Sequence, residues 1–321
     1  MVRACVLTAV TGPDAVKLRD VAEPEPRANQ LVIDVEYAGV AFPDLLLSRG
    51  EYQLRPEPPF VLGWEVSGVV RADVGRFRHG DRVSAMPILG GFADAVAVDS
   101  RMVFPLPDTV SFAKGAALPL NYLTAHLALV RRARLKRGET VLVHGGAGGV
   151  GTAACGVAAA LGARVIAVVS TAEKAEVATA AGAHETLLVE GFKDEVRRLT
   201  DARGVDVIVD PVGGDRFTDS LRSLAPEGRL LVVGFAGREI PTVRTNRLLL
   251  TNTTVMGVAT KELWDLVPDY PAEQWRDLMS LVDAWSIDPV LGPEFELADA
   301  GAALRALDER RTTGKVLLRV R

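Results

Sequence analysis

Cysteine is nearly missing from this 321-residue chain. Only Cys5 and Cys155 occur, so neither a disulfide framework nor a cysteine-rich metal site can be built, and a reducing cytoplasm is the natural compartment. Histidine is equally sparse: His79, His126, His144 and His184 have no partner at ligand spacing, and His126 and His144 read as structural residues on a helix and a strand. No apolar run reaches the roughly 18 residues of a membrane span, and Met1 to Leu7 lead straight into strand-like sequence. Neither a signal peptide nor a membrane anchor is expected. Charge of one sign is not in excess either, because the net −4 is spread along the chain. The one basic run, Arg131-Arg132-Ala133-Arg134-Leu135-Lys136-Arg137, is short and has no aromatic partners. Nucleic acid and anionic membrane are therefore poor partners, and the run reads as a solvated helix end whose cations complement the C-terminal dipole.

What is present is an enzyme-sized globular chain. A hydrophobic content of 48% with 24% charged residues argues against disorder, fibrous repeats and a coiled coil. Two domains with a substantial core are expected, since the length is about twice the usual single-domain value.

Residues 1 to about 120 read as β. Short Val-rich runs such as Gln30 to Tyr37 and Val66 to Val70 are punctuated by turn residues, and ten of the 18 prolines precede Pro119. Clusters such as Pro56-Glu57-Pro58-Pro59 exclude helix and favour a barrel-like fold. From Tyr122 the texture changes to βαβ. Strands are predicted at Thr140 to His144, Arg164 to Ser170, Glu185 to Val189, Asp206 to Asp210, Arg229 to Phe235 and Thr254 to Val258. Helices are predicted from near Val150, Ala172, Lys193, Arg216 and Arg244. Short right-handed crossovers then give a parallel Rossmann sheet of order 3-2-1-4-5-6. The fold class is α/β: a doubly wound sheet at 122–261, and a β-rich domain at 1–121 completed by about 262–321. In that tail a helical stretch runs from Thr260 through Ala284 and a helix from Ala298 to Arg310, and a last strand, Lys315 to Val320, returns to the first domain.

The chemistry is carried by Gly146, Gly148 and Gly151, which form G-x-G-x-x-G directly after a strand and opening a helix. Such a turn lets backbone amides approach a pyrophosphate at a helix N-terminus; the plain alternative is a glycine-rich turn without ligand. The second strand then selects the cofactor. It ends Val169-Ser170-Thr171-Ala172-Glu173-Lys174, with no acid at the position where an NAD enzyme holds the ribose diol. Ser170 and Thr171 can bond a 2′-phosphate and Lys174 can neutralise it, so NADPH is the expected cofactor. Glu173 is the contrary sign, and a Ser-Thr helix cap with a solvated Lys is the competing reading.

The chain resembles the zinc-free medium-chain dehydrogenase/reductases of the quinone oxidoreductase (zeta-crystallin-like) group over essentially its whole length. The resemblance rests on Val35 to Gly39, Arg49-Gly50-Glu51-Tyr52, Leu62 to Val70, Gly80-Asp81-Arg82-Val83, Asn121 to Ala125, the glycine loop, Ser170 to Lys174 and Thr313-Gly314-Lys315-Val316. It implies a GroES-like first domain, a nicotinamide cleft between the domains and a homodimer joined through the last Rossmann strand. It also implies Ala147, Gly148, Gly149 and Val150 on the pyrophosphate, Thr124 near the nicotinamide, and Val233, Gly234 and Phe235 lining its pocket. Two positions depart from the group: Ala41 where Asn is frequent, and Leu188 where a Tyr lies near the adenosine phosphate.

Zinc-dependent relatives have a Cys near Phe42 and a His directly before the Glu matching Glu65; here Ala41-Phe42-Pro43 and Trp64 stand there. Without a metal, oxidation of simple alcohols is not the expected chemistry, because the hydroxyl proton must be stripped unaided. A quinone or α,β-unsaturated carbonyl can accept hydride with only a hydrogen-bond donor, since conjugation spreads the charge. The candidate donor is Tyr52, which by resemblance faces the nicotinamide. It can also serve only to hold the nicotinamide ribose or amide, or only to pack. Trp64 either narrows the substrate pocket towards flat molecules or packs in the core with its N–H bonded to backbone. Phe42, Met86 and Trp264 are open to the same two readings. Two other functions remain in view: an enoyl-thioester reductase, with Arg49, Arg55 and Arg244 as candidate phosphate contacts, and a non-catalytic NADPH-binding sensor or structural protein.

Overall fold

The Val-rich runs of the N-terminal third become eight short strands: β1 (Val2–Leu7), β2 (Val16–Val21), β3 (Gln30–Val40), β4 (Phe60–Val61), β5 (Glu65–Val70), β6 (Arg82–Ala85), β7 (Ala95–Asp99) and β8 (Val103–Pro105). They belong to a computed structural model that describes residues 1–284 and 286–321. Alternation in β3 is strict at first, with Leu31, Ile33 and Val35 buried, and its ladder to β5 shifts register between Val35 and Tyr37. The antiparallel neighbours of β3 are β5 along one edge, and β7 and then the chain's last strand along the other.

Two helices interrupt this β region where sequence reading placed only strands and ordered loops: α1 (Phe42–Ser48) and α2 (Phe112–Ala117). Pro43 does not prevent α1, because it stands in the first turn, where its missing N–H is not needed. Asp44 reaches back to accept from the Ala41 amide at 3.0 Å and closes the start of the helix.

In the second unit, residues 121–267 with 276–290, the βαβ alternation is complete. The chain enters through α3 (Pro119–His126) and a wide helical turn, Leu127–Arg132, that ends in the exposed Arg131 and Arg132. The strands are β9 (Thr140–His144), β10 (Arg164–Val169), β11 (Glu185–Leu188), β12 (Val205–Asp210), β13 (Leu224–Val232) and β14 (Thr254–Gly257). All pairings are parallel and the order is β11-β10-β9-β12-β13-β14, which is 3-2-1-4-5-6. Burial of β9 on both faces explains its unbroken apolar run. Helices α4 (Gly149–Ala160), α5 (Ala172–Ala180), α6 (Phe192–Leu199), α7 (Phe217–Ser223) and α8 (Asn246–Thr251) make the connections. The fifth strand differs from expectation: β13 starts earlier, at Leu224 beside Val205, and stops at Val232. Val233, Gly234 and Phe235 accordingly lie in the loop that follows it.

The C-terminal part is less continuous than its helical pattern suggests. Pro268 separates α9 (Thr260–Leu266) from α10 (Tyr270–Asp283). Residues 268–275 and 291–321 join the first unit, whereas 262–267 and 276–290 stay with the second, so the first unit is completed by less of the tail than expected. The division follows specific contacts. Trp275 stacks on Phe104 at 4.9 Å and donates to the Pro105 carbonyl at 3.0 Å, while the Val290 amide donates to the Tyr122 hydroxyl at 3.3 Å. A further strand, β15 (Leu291–Glu296), pairs with β16 (Lys315–Arg319), which lies on β3, and α11 (Ala300–Asp308) connects them after a short turn at Leu297–Asp299. No helix among the described residues is long and apolar enough to cross a membrane.

Candidate functional site

A dinucleotide cradle forms at the carboxyl end of β9. His144 ends the strand, Gly145 turns the chain with φ +60°, and α4 begins at Gly149. No side chain caps α4, and its first internal bond is the Thr152 amide donating to Gly148 at 2.8 Å. The amides of Gly149, Val150 and Gly151 thus stand at a helix N-terminus without side-chain acceptors, the arrangement that suits a pyrophosphate. Gly148, Gly149 and Val150 are half-buried and Ala147 is buried. Gly151 is fixed by packing: a Cβ there would sit 2.0 Å from the Gly145 carbonyl oxygen. The residues present fit the phosphates of a dinucleotide.

Beyond β10, where the sequence places the adenosine end of the cofactor, Ser170 and Thr171 are exposed. Lys174 Nζ donates to Ser170 Oγ at 3.2 Å, so a hydroxyl and an ammonium already converge. Thr171 is engaged otherwise. Its hydroxyl accepts from the Lys174 amide at 3.4 Å, and its bond to Glu173 holds that carboxyl below the usual range. Thr171 is the cap of α5, whereas the Ser170 hydroxyl is paired with the Lys174 ammonium. Leu188, at the end of β11, is exposed.

Past the ends of β12 and β13, the Val233 amide donates to the Asp210 carbonyl at 3.0 Å and the Gly237 amide to Val212 at 2.8 Å. These bonds pair the loop holding Val233, Gly234 and Phe235 with the loop after β12. Thr124 Oγ1 lies 3.1 Å from Thr260 Oγ1, a partner 136 residues away that sequence reading missed. Asn121 was missed as well: it is buried, and its side-chain nitrogen would lie 2.5 Å from a Cβ placed on Gly149. His144 is buried, bonded to Ser220 Oγ at 2.8 Å, and burial pushes its imidazole pKa down to about 4, consistent with a structural role. His126 is buried in α3, with its pKa lowered for the same reason.

The first unit carries Tyr52. The Glu51 amide donates to Leu46 at 2.9 Å and closes α1, after which Gly50, at φ +69°, has already turned the chain and half-buried Tyr52 follows. Its ring meets Trp64 edge to face, with centroids 5.5 Å apart and an interplanar angle of 80°. Trp64 is held by its backbone. Gly63, at φ +113°, donates to Asp44 Oδ1 at 2.9 Å, and its carbonyl accepts from Gly91 at 3.1 Å. A Cβ on Gly63 would come within 2.4 Å of the Phe92 amide nitrogen, so only glycine lets these segments close. Asp44 is wholly buried, and that burial raises its carboxyl pKa to about 7.

The Trp64 indole is buried, but the expected backbone bond of its N–H is absent: among the described residues Nε1 has no hydrogen-bond partner. Met86 and Trp264 are buried and Phe42 is half-buried. Arg49 is paired with Asp308, and Arg55 Nε donates to the Tyr52 carbonyl at 3.4 Å. Among the described residues no group of three or more His, Cys, Asp or Glu side chains is placed to hold a metal ion.

Two family models match the chain: the alcohol dehydrogenase GroES-like domain over residues 27–108 and the zinc-binding dehydrogenase over residues 149–284. With a GroES-like β-rich unit and a Rossmann sheet, the class is that of the medium-chain dehydrogenases/reductases. Rat quinone oxidoreductase-like protein 2 is 39% identical, with 98% of this chain and 91% of the rat protein covered. Pig quinone oxidoreductase is 33% identical over 96% of this chain and 94% of the pig protein. The quinone oxidoreductase of Thermus thermophilus, whose crystal structures include its complex with NADPH, superposes with a TM-score of 0.87 at 37% identity, covering 99% of this chain and 100% of that one. The chain belongs to the quinone oxidoreductase group of the medium-chain dehydrogenase/reductase family.

Proposed function

We propose that this oxidoreductase is an NADPH-dependent, metal-independent reductase that passes hydride to a quinone or an α,β-unsaturated carbonyl compound. The observation that carries the reading is the Tyr52 ring set edge to face against Trp64, the residue directly before Glu65. An indole there offers no electron pair for a metal, whereas a phenol beside it offers a proton or hydrogen bond to a carbonyl oxygen. NADPH supplies the hydride when bound. The amides that open α4 hold its pyrophosphate, and Ser170 with Lys174 holds the 2′-phosphate.

On this reading Tyr52 binds the carbonyl oxygen and stabilises the charge that conjugation delocalises as hydride arrives. The enoyl-thioester alternative needs cations for carrier phosphates, and Arg49 is already spent on Asp308. A homodimer joined through β14 and a cytoplasmic setting belong to the same proposal.

The test is consumption of NADPH and NADH by the purified, chelator-treated protein against ortho- and para-quinones, enones and crotonyl thioesters. Turnover of quinones or enones, faster with NADPH, is the expected result. Silence across the panel despite NADPH binding would transfer the case to a non-catalytic nucleotide sensor, and preference for the thioester to the alternative reductase.

A further inference from the structure

Six buried side-chain atoms lack a hydrogen-bond partner among the described residues: Trp64 Nε1, Arg82 Nε, His126 Nδ1, His144 Nδ1, Asp210 Oδ2 and Arg216 Nε. A buried donor left unpaired costs about 1–3 kcal/mol, so each asks for an explanation. Arg82 already donates to the Val110 carbonyl at 2.6 Å and lies over the Phe112 ring at 4.0 Å, so its position is accounted for. The charges of Asp210 and Arg216 both act on His144, which places these three in one electrostatic group. His126, in α3, interacts electrostatically with Asp277 of α10. Only Trp64 adjoins the side chain assigned to the substrate.

We propose that the Trp64 indole N–H is a second hydrogen-bond donor to the substrate carbonyl oxygen, acting with the Tyr52 phenol as a two-donor cradle. Three observations converge on it. The indole is 3% exposed, so its N–H has surrendered water without gaining a protein acceptor. Its ring is in contact with Tyr52, so an oxygen bound at the phenol lies within the indole's neighbourhood. Its backbone is held by the Ile88 amide, which donates to the Trp64 carbonyl at 3.4 Å, and just upstream by the bonds of Gly63 to Asp44 and Gly91 and of Leu62 to Phe92, so the donor is held in place before a ligand arrives. Preorganised donors of this kind are the strongest contributors to stabilising a developing oxyanion. The cradle favours flat conjugated ketones and quinones, because an aromatic wall flanks the acceptor site.

The inference rests on the proposed carbonyl reduction, and the experiment separates the two. The chain holds four tryptophans, so indole-15N labelling gives up to four N–H signals. The Trp64 signal is assigned from Trp64→Phe, or by elimination with Phe variants at the other three. Cyclohex-2-enone is added in the presence of NADP+, so that no hydride is available, while turnover is measured separately with NADPH. We expect the Trp64 proton to move downfield on enone addition while the Trp275 signal, whose N–H is bonded to Pro105, stays fixed. We also expect Trp64→Phe to lose about tenfold or more in kcat/KM for enone or quinone, with NADPH affinity unchanged. A shift without turnover supports the donor and defeats the reductase reading. Turnover in which the Trp64 signal ignores the enone, or sits upfield over the Tyr52 ring throughout, overturns the donor and leaves the reductase standing. Absence of both defeats both.

Discussion

Lys315 donates to Glu65 across 250 positions of sequence, and both side chains are buried. The second Glu65 oxygen accepts from the Leu120 amide at 2.7 Å, so the carboxylate is satisfied on two sides. Because Glu65 follows Trp64 directly, this pair anchors β5 and the indole to β16. Removing one partner strands the other charge in the interior. Lys315→Met should therefore cost about 3–5 kcal/mol in urea unfolding, with much of the loss recovered in the Glu65→Gln/Lys315→Met double variant. A single-variant cost under about 1 kcal/mol would contradict the role given to the pair.

The buried Asp44 carboxyl gives a pH dependence of defined sign. Its pKa is raised by burial to about 7 in the folded chain, so between about pH 4 and pH 7 the folded state holds a proton that the unfolded state has released. Stability contributed by the neutral group is present at low pH and is lost as pH rises through that window. His144 acts in the opposite sense, because burial lowers its pKa to about 4 and its contribution is lost as pH falls. The two oppose each other in the whole protein, so the informative quantity is the difference from Asp44→Asn. From pH 5 to pH 8 the wild type should lose about 1–3 kcal/mol relative to that variant in urea titrations. A difference that stays constant over this range would rule out the raised carboxyl.

Tyr52→Phe preserves the ring against Trp64 and removes only the hydroxyl. Loss of at least tenfold in turnover of quinone or enone, with NADPH affinity unchanged, is the outcome expected of a donor. Weaker NADPH binding with little change in turnover would mark a cofactor-holding residue, and a loss below threefold would end the acid role.

Cofactor choice should respond to the contact between Lys174 and Ser170. Lys174→Ala should weaken NADPH binding by about tenfold while leaving NADH untouched, since only the phosphate needs the ammonium. Ser170→Asp should go further and reverse the preference, by repelling the phosphate and offering an acceptor to a ribose diol. Fluorescence titration with both nucleotides decides it. A wild-type protein favouring NADH by tenfold or more would refute the assignment.

The parts of this fold that were legible in the sequence are those whose causes are local. Apolar runs buried on both faces, regular helix spacing and a glycine turn gave the six parallel strands, their order and the cradle at Gly146 to Gly151. What was illegible depends on partners far away in the chain. Nothing near Thr124 points to Thr260, and nothing near Trp64 reveals that its N–H ends without an acceptor. The α1 helix hid behind Pro43, because composition counts a proline against a helix without regard to its place in the first turn. The division of the tail is equally non-local: Trp275 and Val290 belong to different units through Pro105 and Tyr122, which no periodicity encodes.

The proposed dimer can be tested on β14, the outer strand of the parallel sheet. Val258 directs its amide inward to Val232, so Val255, an odd number of residues away, directs its amide to the open side of the strand. Exposed Leu249 and Leu250 on α8 precede that edge, an apolar surface of the kind a second copy covers. Proline at 255 removes an outward donor and no bond to β13, so Val255→Pro should leave the fold intact and break pairing between two copies. Light scattering is expected to give about twice the 34.3 kDa chain mass for the wild type and a single chain for the variant. A wild-type monomer at micromolar concentration, or a variant that remains dimeric, would place any self-association elsewhere.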